Sequence, residues 1–223
     1  MTGAHTARLC IGVLCVLAAS TTPALAQRSR VEVGVGGVFN GAADAGSEDA
    51  ALLDAAGGSL RLFRASNRMA SGWGAEGLVS TRVGERLRLE LAVGWGSTDF
   101  ETRLSDDFED VPALSVTQKV NQFTGELALA YRIVQRGRFD VFVRAGGGGF
   151  REITGDRALV ENGWRGSVGG GTQIRLRDAS SGWLGRLALR ADLRVHARGG
   201  GIAFGDSGTR LSPSVFAGLV IGK

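Results

Sequence analysis

Ionisable side chains occupy alternate positions in the segment GRLALRADLRVHARG, residues 185–199. Arg190, Asp192, Arg194 and His196 fall at every second position, and apolar residues separate them. Such a set could form ion pairs, bind a metal or, with a serine beside the histidine, support nucleophilic catalysis. The chain has only 2 histidines, and the other lies near the N-terminus. This scarcity argues against most acid–base and metal schemes.

The same spacing predicts a β-strand with two unlike faces. Successive side chains of a strand point to opposite sides, so this segment presents one apolar face and one charged face. The alternation recurs in eight runs along the chain. The runs span residues 30–39, 71–83, 86–104, 114–133, 138–152, 163–177, 184–203 and 211–222. Segment 48–56, EDAALLDAA, is the one helical candidate, and we expect at most a turn of helix there within a loop.

Length and composition favour a single exported β-domain. The 36 glycines among 223 residues show no collagen-like period and therefore belong to folded structure. Residues 1–26 have the apolar run and the small-residue ending of a signal peptide, with cleavage expected before Gln27 and residues 27–223 remaining as the barrel domain. Both cysteines lie in that leader, so no disulfide is expected. The net charge of +4 comes without a basic block, and no nucleic-acid partner is expected.

Short and long connections alternate between the runs. The short ones are residues 84–85, 135–137 and 178–183. The long ones are residues 40–70, 105–113, 153–162 and 204–210. Antiparallel strands in up-and-down order would place the short turns and both termini at one rim, as in outer-membrane barrels. The predicted fold is an all-β, eight-stranded antiparallel transmembrane β-barrel with short periplasmic turns and longer extracellular loops.

The two faces suit lipid on the outside and charge on the inside. Aromatic residues near the strand ends predict two girdles at the level of the lipid headgroups. They are Trp73, Trp95, Tyr131, Phe139, Trp164 and Trp183. An eight-stranded barrel is just wide enough for side chains to fill, so the charged face is expected to pair across the lumen. The predicted lumenal ion-pair network comprises Glu76, Arg88, Glu90, Glu126, Arg144, Arg165, Arg175, Arg190, Asp192, Arg194 and His196.

Several segments resemble the small outer-membrane β-barrel superfamily, which includes the OmpA-type transmembrane domain and OmpX. These segments are GELALAYRI, VFVRAGGGGFREI, RGSVGGGTQIRLR, LALRADLRVHARGGGIAF and SVFAGLVIG. The resemblance implies a place in the cell outer membrane of a Gram-negative bacterium, insertion by the barrel-assembly machinery, and contact with outer-membrane lipids and lipopolysaccharide. Some barrels of this superfamily modify lipids with a serine beside a histidine. Here no serine lies two residues after His196, and Ser207, Ser212 and Ser214 are only loosely near in sequence.

These observations predict a non-enzymatic outer-membrane β-barrel with a closed, ion-paired lumen that serves envelope integrity or surface interaction. No catalytic residue, cofactor or metal site is expected. The acidic stretch 106–110 lacks the spacing of a calcium loop and is predicted to be solvated. A surface partner would meet the longest connection, residues 40–70. Three alternatives stay open: a small-solute pore, a lipid-modifying barrel enzyme, and a secreted soluble lipocalin-like barrel whose apolar face lines a cavity.

Overall fold

The computed structural model consists mainly of antiparallel β-strands. It describes residues 31–53, 59–105, 112–155, 158–176, 186–202 and 208–222. The strands are β1 (Val31–Asn40), β2 (Ala43–Leu53), β3 (Ser59–Met69), β4 (Gly72–Arg82), β5 (Leu87–Ser105), β6 (Leu114–Arg136), β7 (Phe139–Thr154), β8 (Val160–Arg175), β9 (Leu187–Gly200) and β10 (Arg210–Gly222). Within those ranges no helix is long and apolar enough to cross a membrane. The predicted signal peptide lies outside the described residues, so its cleavage stays a prediction.

Eight of the strands close into a ring. The order around it is β1, β10, β9, β8, β7, β6, β5, β4 and back to β1. The β5–β6 ladder, which runs from the pair Leu87 and Tyr131 to the pair Leu104 and Leu114, completes the closure. Closure pairs the edge strands, which a sheet in hydrocarbon requires because unpaired backbone groups cost several kcal/mol each there. The predicted eight-stranded antiparallel barrel is confirmed.

The outer wall of this barrel is apolar. Val33 on β1 is 49% exposed and Leu193 on β9 is 67% exposed. Apolar side chains at the outward positions of the other barrel strands are also exposed. The charged residues of the same strands are buried on the other side. The facing predicted from the alternation is therefore confirmed. A soluble barrel with its apolar face around a cavity is wrong, since that arrangement would turn these side chains inward.

Aromatic side chains mark two levels on the outer wall. Trp73, Trp95, Phe123 and Trp164 lie toward one rim, and Tyr131 and Phe139 lie toward the other. On β6, Phe123 and Tyr131 are both exposed and lie on the same face. At about 3.3 Å per residue and a strand tilt of about 40°, these two levels are about 20 Å apart, close to the height of an outer-membrane apolar band. Trp183 lies outside the described residues.

The connection between β1 and β4 is a β-hairpin. Strands β2 and β3 pair with each other, and residues 64–69 of β3 pair with the outer part of β5. The helical turn expected over residues 48–56 is wrong for residues 48–53, which belong to β2. Residues 54–56 lie outside the described residues. A helix this short is marginal in water, whereas the hairpin extends an existing sheet. Residues 60–63 belong to β3.

An apolar cluster lies at the rim where this hairpin joins the barrel. It consists of Ala45, Met69, Phe100, Val120 and Ile202, all of them buried. These residues come from the hairpin, from β5 and β6, and from the segment just after β9. The barrel therefore has a small apolar core at one end and a charged interior below it.

Candidate functional site: the charged barrel interior

The charged side chains lie at the inward positions of the barrel strands. Because the strand period is two, each inward residue is followed by one that faces outward, so the pattern of the sequence sets the facing directly. Buried residues of the predicted network are Glu76, Arg88, Glu90, Glu126, Arg144, Arg190, Asp192, Arg194 and His196. Arg165 and Arg175 are half-buried.

Two ion pairs cross the barrel interior. Arg190 on β9 donates to both carboxylate oxygens of Glu90 on β5, at 2.8 and 2.9 Å. Strands β5 and β9 lie four places apart in the ring of eight, so this pair spans the full width of the barrel. Arg194 on β9 reaches Glu76 on β4 in the same bidentate manner, at 2.7 and 2.8 Å. The planar guanidinium group matches a carboxylate in this geometry and fixes its orientation.

Asp192 connects the two crossing pairs. Its carboxylate accepts hydrogen bonds from Arg190 at 3.0 Å and from Arg194 at 2.9 Å. Arg144 on β7 lies 3.7 Å from the same carboxylate and donates to Glu126 on β6 at 2.6 Å. The charges of five strands, β4, β5, β6, β7 and β9, thus form one continuous network at the middle of the barrel.

Glu126 extends this network toward the hairpin rim. Its carboxylate accepts a hydrogen bond from Ser167 at 2.7 Å and lies 3.1 Å from Arg165. Arg165 in turn contacts the ring of His196, at 3.1 Å from Nδ1. His196 Nε2 is also 2.7 Å from the Ser214 hydroxyl. A serine therefore lies beside the histidine, although their spacing in the sequence did not predict it.

A separate group of polar contacts lies at the rim that carries the chain termini. Arg88 donates to Glu32 at 3.2 Å and to Gln173 at 2.9 Å. Arg82 also lies near Glu32, at 3.5 Å. Arg175 on β8 lies 3.7 Å from Asp140 on β7. Arg88 and Arg175 of the predicted set are thus placed at this end, away from the central network.

Three phenylalanines share the interior with the charges. Arg88 and Arg190 contact the Phe142 ring, with 5.0 and 4.5 Å between guanidinium carbon and ring centroid. Arg194 contacts Phe216 at 5.2 Å, and Arg198 contacts Phe150 at 4.5 Å. These rings were not expected inside the barrel, because aromatic residues of outer-membrane barrels usually lie at the lipid face. Their even-numbered positions, shared with Asp140 and Arg144 on β7, would have placed Phe142 and Phe150 inside.

Other inward charges were also absent from the predicted network. The buried ones are Glu32, Asp140, Glu152, Arg198 and Arg210. Glu152 accepts from Arg198, from Gln122 at 2.9 Å and from the backbone amide of Ile202 at 2.8 Å. Each of the five lies at a position with the inward parity of its strand. The alternation by itself therefore indicates that they face inward.

Glycines make room for the large inward side chains. A Cβ atom added to Gly163 would lie 2.2 Å from Phe150 Cζ, and one on Gly171 would lie 2.8 Å from Phe142 Cζ. The same Cβ atoms would also meet backbone carbonyl oxygens of β9, that of Gly199 at 2.5 Å and that of Ala191 at 2.4 Å, so a side chain here requires both the ring and the backbone to shift. These glycines on β8 therefore permit the phenylalanines of β7 to fill the interior.

A small cavity lies between the charged network and the apolar cluster. Its volume is about 40 Å³, and Gln122, Phe150, Arg165, His196 and Arg198 are among its lining residues. A cavity of this size holds about two water molecules. No group of three or more potential metal ligands occurs within the described ranges. The acidic stretch 106–110 lies outside them.

A closed ring with an apolar outer wall, two aromatic levels and a charged interior defines a membrane-spanning β-barrel. The family model described as the outer membrane protein beta-barrel domain matches residues 11–213. The chain belongs to this family, and its location is the cell outer membrane. By the convention of such barrels, the rim with the termini and short turns is periplasmic and the hairpin rim is extracellular.

The chain is similar to solved structures. Neisserial surface protein A (NspA) is 12% identical over 86% of this chain and 96% of that chain, with a TM-score of 0.50. Ail, the attachment invasion locus protein of Yersinia pestis, solved in complex with the heparin analogue sucrose octasulfate, is 8% identical over 87% of this chain and 99% of that chain, with a TM-score of 0.44. No curated protein matches the chain in sequence. The likeness to NspA concerns the fold alone.

Proposed function

We propose that this protein is a non-enzymatic outer-membrane barrel with a closed interior held together by ion pairs, and that it serves envelope integrity or surface interaction. The ion pair between Arg190 and Glu90 carries the proposal. It joins opposite walls of the ring, and its two side chains are 0% and 2% exposed. The burial of this pair at both of its ends supports an interior that is closed to water and solutes at this level.

Two further observations support a closed interior. Phe142 and Phe216 are buried beside the crossing arginines and fill space that a pore would leave to water. The cavity above them holds only about 40 Å³ and is followed by the apolar cluster at the extracellular rim. A small-solute pore would need an aqueous path through both regions.

Single-channel recording in planar bilayers tests the closed interior. The refolded chain is first shown to be folded by its heat-modifiable mobility on a denaturing gel and to be inserted by flotation with lipid vesicles. We expect no reproducible current steps from this material. A triple variant, Glu90→Ala with Phe142→Ala and Arg190→Ala, removes the filling groups and is the matched comparison. Stable conductance of the folded wild-type chain would contradict the proposal and favour the pore.

The absence of lipid-modifying activity is part of the same proposal. His196 and Ser214 are hydrogen-bonded, but they are 4% and 2% exposed and point into the barrel. Acyl chains reach a barrel enzyme from the membrane side, and the 40 Å³ cavity beside His196 is far too small for one. Incubation with phospholipid and lipopolysaccharide, followed by mass spectrometry of the lipids, is expected to show no product. Product that disappears in Ser214→Ala would contradict this.

Export, membrane insertion and contact with partners complete the proposed function. Cleavage before Gln27, insertion by the barrel-assembly machinery and contact with lipopolysaccharide accord with the family, and N-terminal sequencing of the membrane-extracted protein tests the first. The extracellular hairpin is the part best placed to meet a surface partner. It projects beyond the barrel on the extended end of β5 and carries exposed charges such as Asp49 and Arg64, which lie 3.0 Å apart.

A further inference from the structure

The periplasmic rim is rich in arginine. The arginines at strand ends and turns of this rim are Arg82, Arg86, Arg132, Arg136, Arg138, Arg175 and Arg186. Among the described residues, the carboxylates of the same rim are Glu32, Glu85 and Asp140. Glu32 and Asp140 are already engaged by arginines. A strong positive charge therefore faces the headgroups of the periplasmic leaflet.

One groove concentrates this charge at the edge of the lipid-facing wall. It has a volume of about 450 Å³ and lies between the β4–β5 turn and the end of β6. Its lining residues are Glu85, Arg86, Arg132, Ile133, Val134, Gln135 and Arg136, so three guanidinium groups outnumber one carboxylate. The groove thus has a cationic part and an apolar part side by side. An anionic phospholipid has the matching features, a negatively charged headgroup next to apolar acyl chains.

A β-bulge creates the apolar part. The β6–β7 register shifts between Arg132 and Val134, so one residue of β6 has no counterpart on β7. As a result, Ile133 and Val134 are both exposed, at 51% and 41%. In a regular strand one of the two would have pointed inward. Two consecutive apolar side chains therefore face the membrane directly beside the arginines.

The cationic part is partly fixed in place. The Arg132 guanidinium donates to the backbone carbonyl of Glu85 and to the side-chain oxygen of Gln135. Arg86 and Arg136 are exposed, and neither forms an ion pair within the described part of the chain. Two guanidinium groups are thus available beside a third that is held rigidly.

We propose that this groove binds an anionic phospholipid of the periplasmic leaflet. The phosphate lies between the guanidinium groups of Arg86 and Arg136, which bind phosphate oxygens in a bidentate manner. The first acyl segments pack on Ile133 and Val134. The position at the headgroup level supports a membrane lipid over a soluble phosphate, because a soluble ion gains nothing from the apolar wall.

Native mass spectrometry of the full chain tests this site. The protein is reconstituted in nanodiscs of mixed phosphatidylglycerol and phosphatidylcholine, released into mild detergent, and the retained lipids are counted. We expect the wild type to retain phosphatidylglycerol preferentially. A basic side chain near a membrane surface contributes about 1 kcal/mol, or a factor of about five, so Arg86→Gln together with Arg136→Gln should lower the preference by about 25-fold.

Arg103→Gln is the matched control, because Arg103 is exposed on β5 beyond the opposite rim. Heat-modifiable mobility shows that each variant is folded. Equal retention of both lipids by the wild type would overturn the proposal, and so would an equal loss in the Arg103 variant. If the double variant keeps its lipid preference but no longer sediments with peptidoglycan sacculi, the rim binds the cell-wall polymer instead, and the lipid proposal is wrong.

Discussion

Glu76→Gln isolates the charge of one crossing ion pair. The substitution keeps the shape of the side chain and removes its negative charge, while Arg194 remains buried. The pair has N–O distances of 2.7 and 2.8 Å, and its side chains are 1% and 6% exposed. Two unit charges about 4 Å apart attract by about 4 kcal/mol at an effective dielectric constant of about 20.

The expected loss of stability is smaller than a fully orphaned charge would cause. Breaking a buried pair costs about 3–5 kcal/mol, because one charge stays buried without its partner. Arg194 retains its contact with Asp192 at 2.9 Å, so we expect about 3 kcal/mol for Glu76→Gln. Arg194→Met should cost a similar amount. The double variant should cost clearly less than the sum, since no unpaired charge is then left between the two positions.

Equilibrium unfolding in urea measures these differences. The barrel is refolded in lipid vesicles, and the folded fraction is followed by tryptophan fluorescence and by gel mobility without boiling. Asp49→Asn is the control, because the Asp49–Arg64 pair has side chains that are 40% and 48% exposed and should contribute at most about 1 kcal/mol. A loss below about 1 kcal/mol for Glu76→Gln, or strict additivity in the double variant, would refute the role given to this pair.

Two other substitutions test the facing of the barrel and its internal packing. Leu189→Arg places a charge on the lipid face and should cost about 2–4 kcal/mol of folding free energy, measured by the folded fraction on a gel, whereas Ala188→Ser on the inner face should do little. Equal folded fractions of both variants would contradict the facing. Gly163→Ala should cost about 1–3 kcal/mol in the urea assay, because its Cβ would meet both the Phe150 ring and the backbone carbonyl oxygen of Gly199, whereas Gly125→Ala meets nothing within 4 Å and should be nearly neutral. A neutral Gly163→Ala would contradict this packing, because the ring and strand β9 would both have to move at no cost.

The strands of the barrel were predictable because their signal is local. The alternation in residues 86–104 and 184–203 depends on side-chain direction within a single strand, and it predicted both the strand and its facing. The hairpin was not predictable in this way. Segment 48–53 carries no clear alternation, and it becomes a strand because β3 and the extended end of β5 provide a sheet for it to join. The phenylalanines inside the barrel follow the parity of their strands but contradict the usual preference of aromatic residues for the membrane.

The sequence by itself determined which side chains face lipid and which face the interior, since a period of two needs no information from distant residues. Only the tertiary structure decided which charges meet. Glu90 and Arg190 are 100 residues apart and come together because ring closure sets β5 opposite β9. His196 and Ser214 meet because the register between β9 and β10 brings their strands side by side. Register and closure arise from pairing between distant strands, and the pattern within one strand does not determine them.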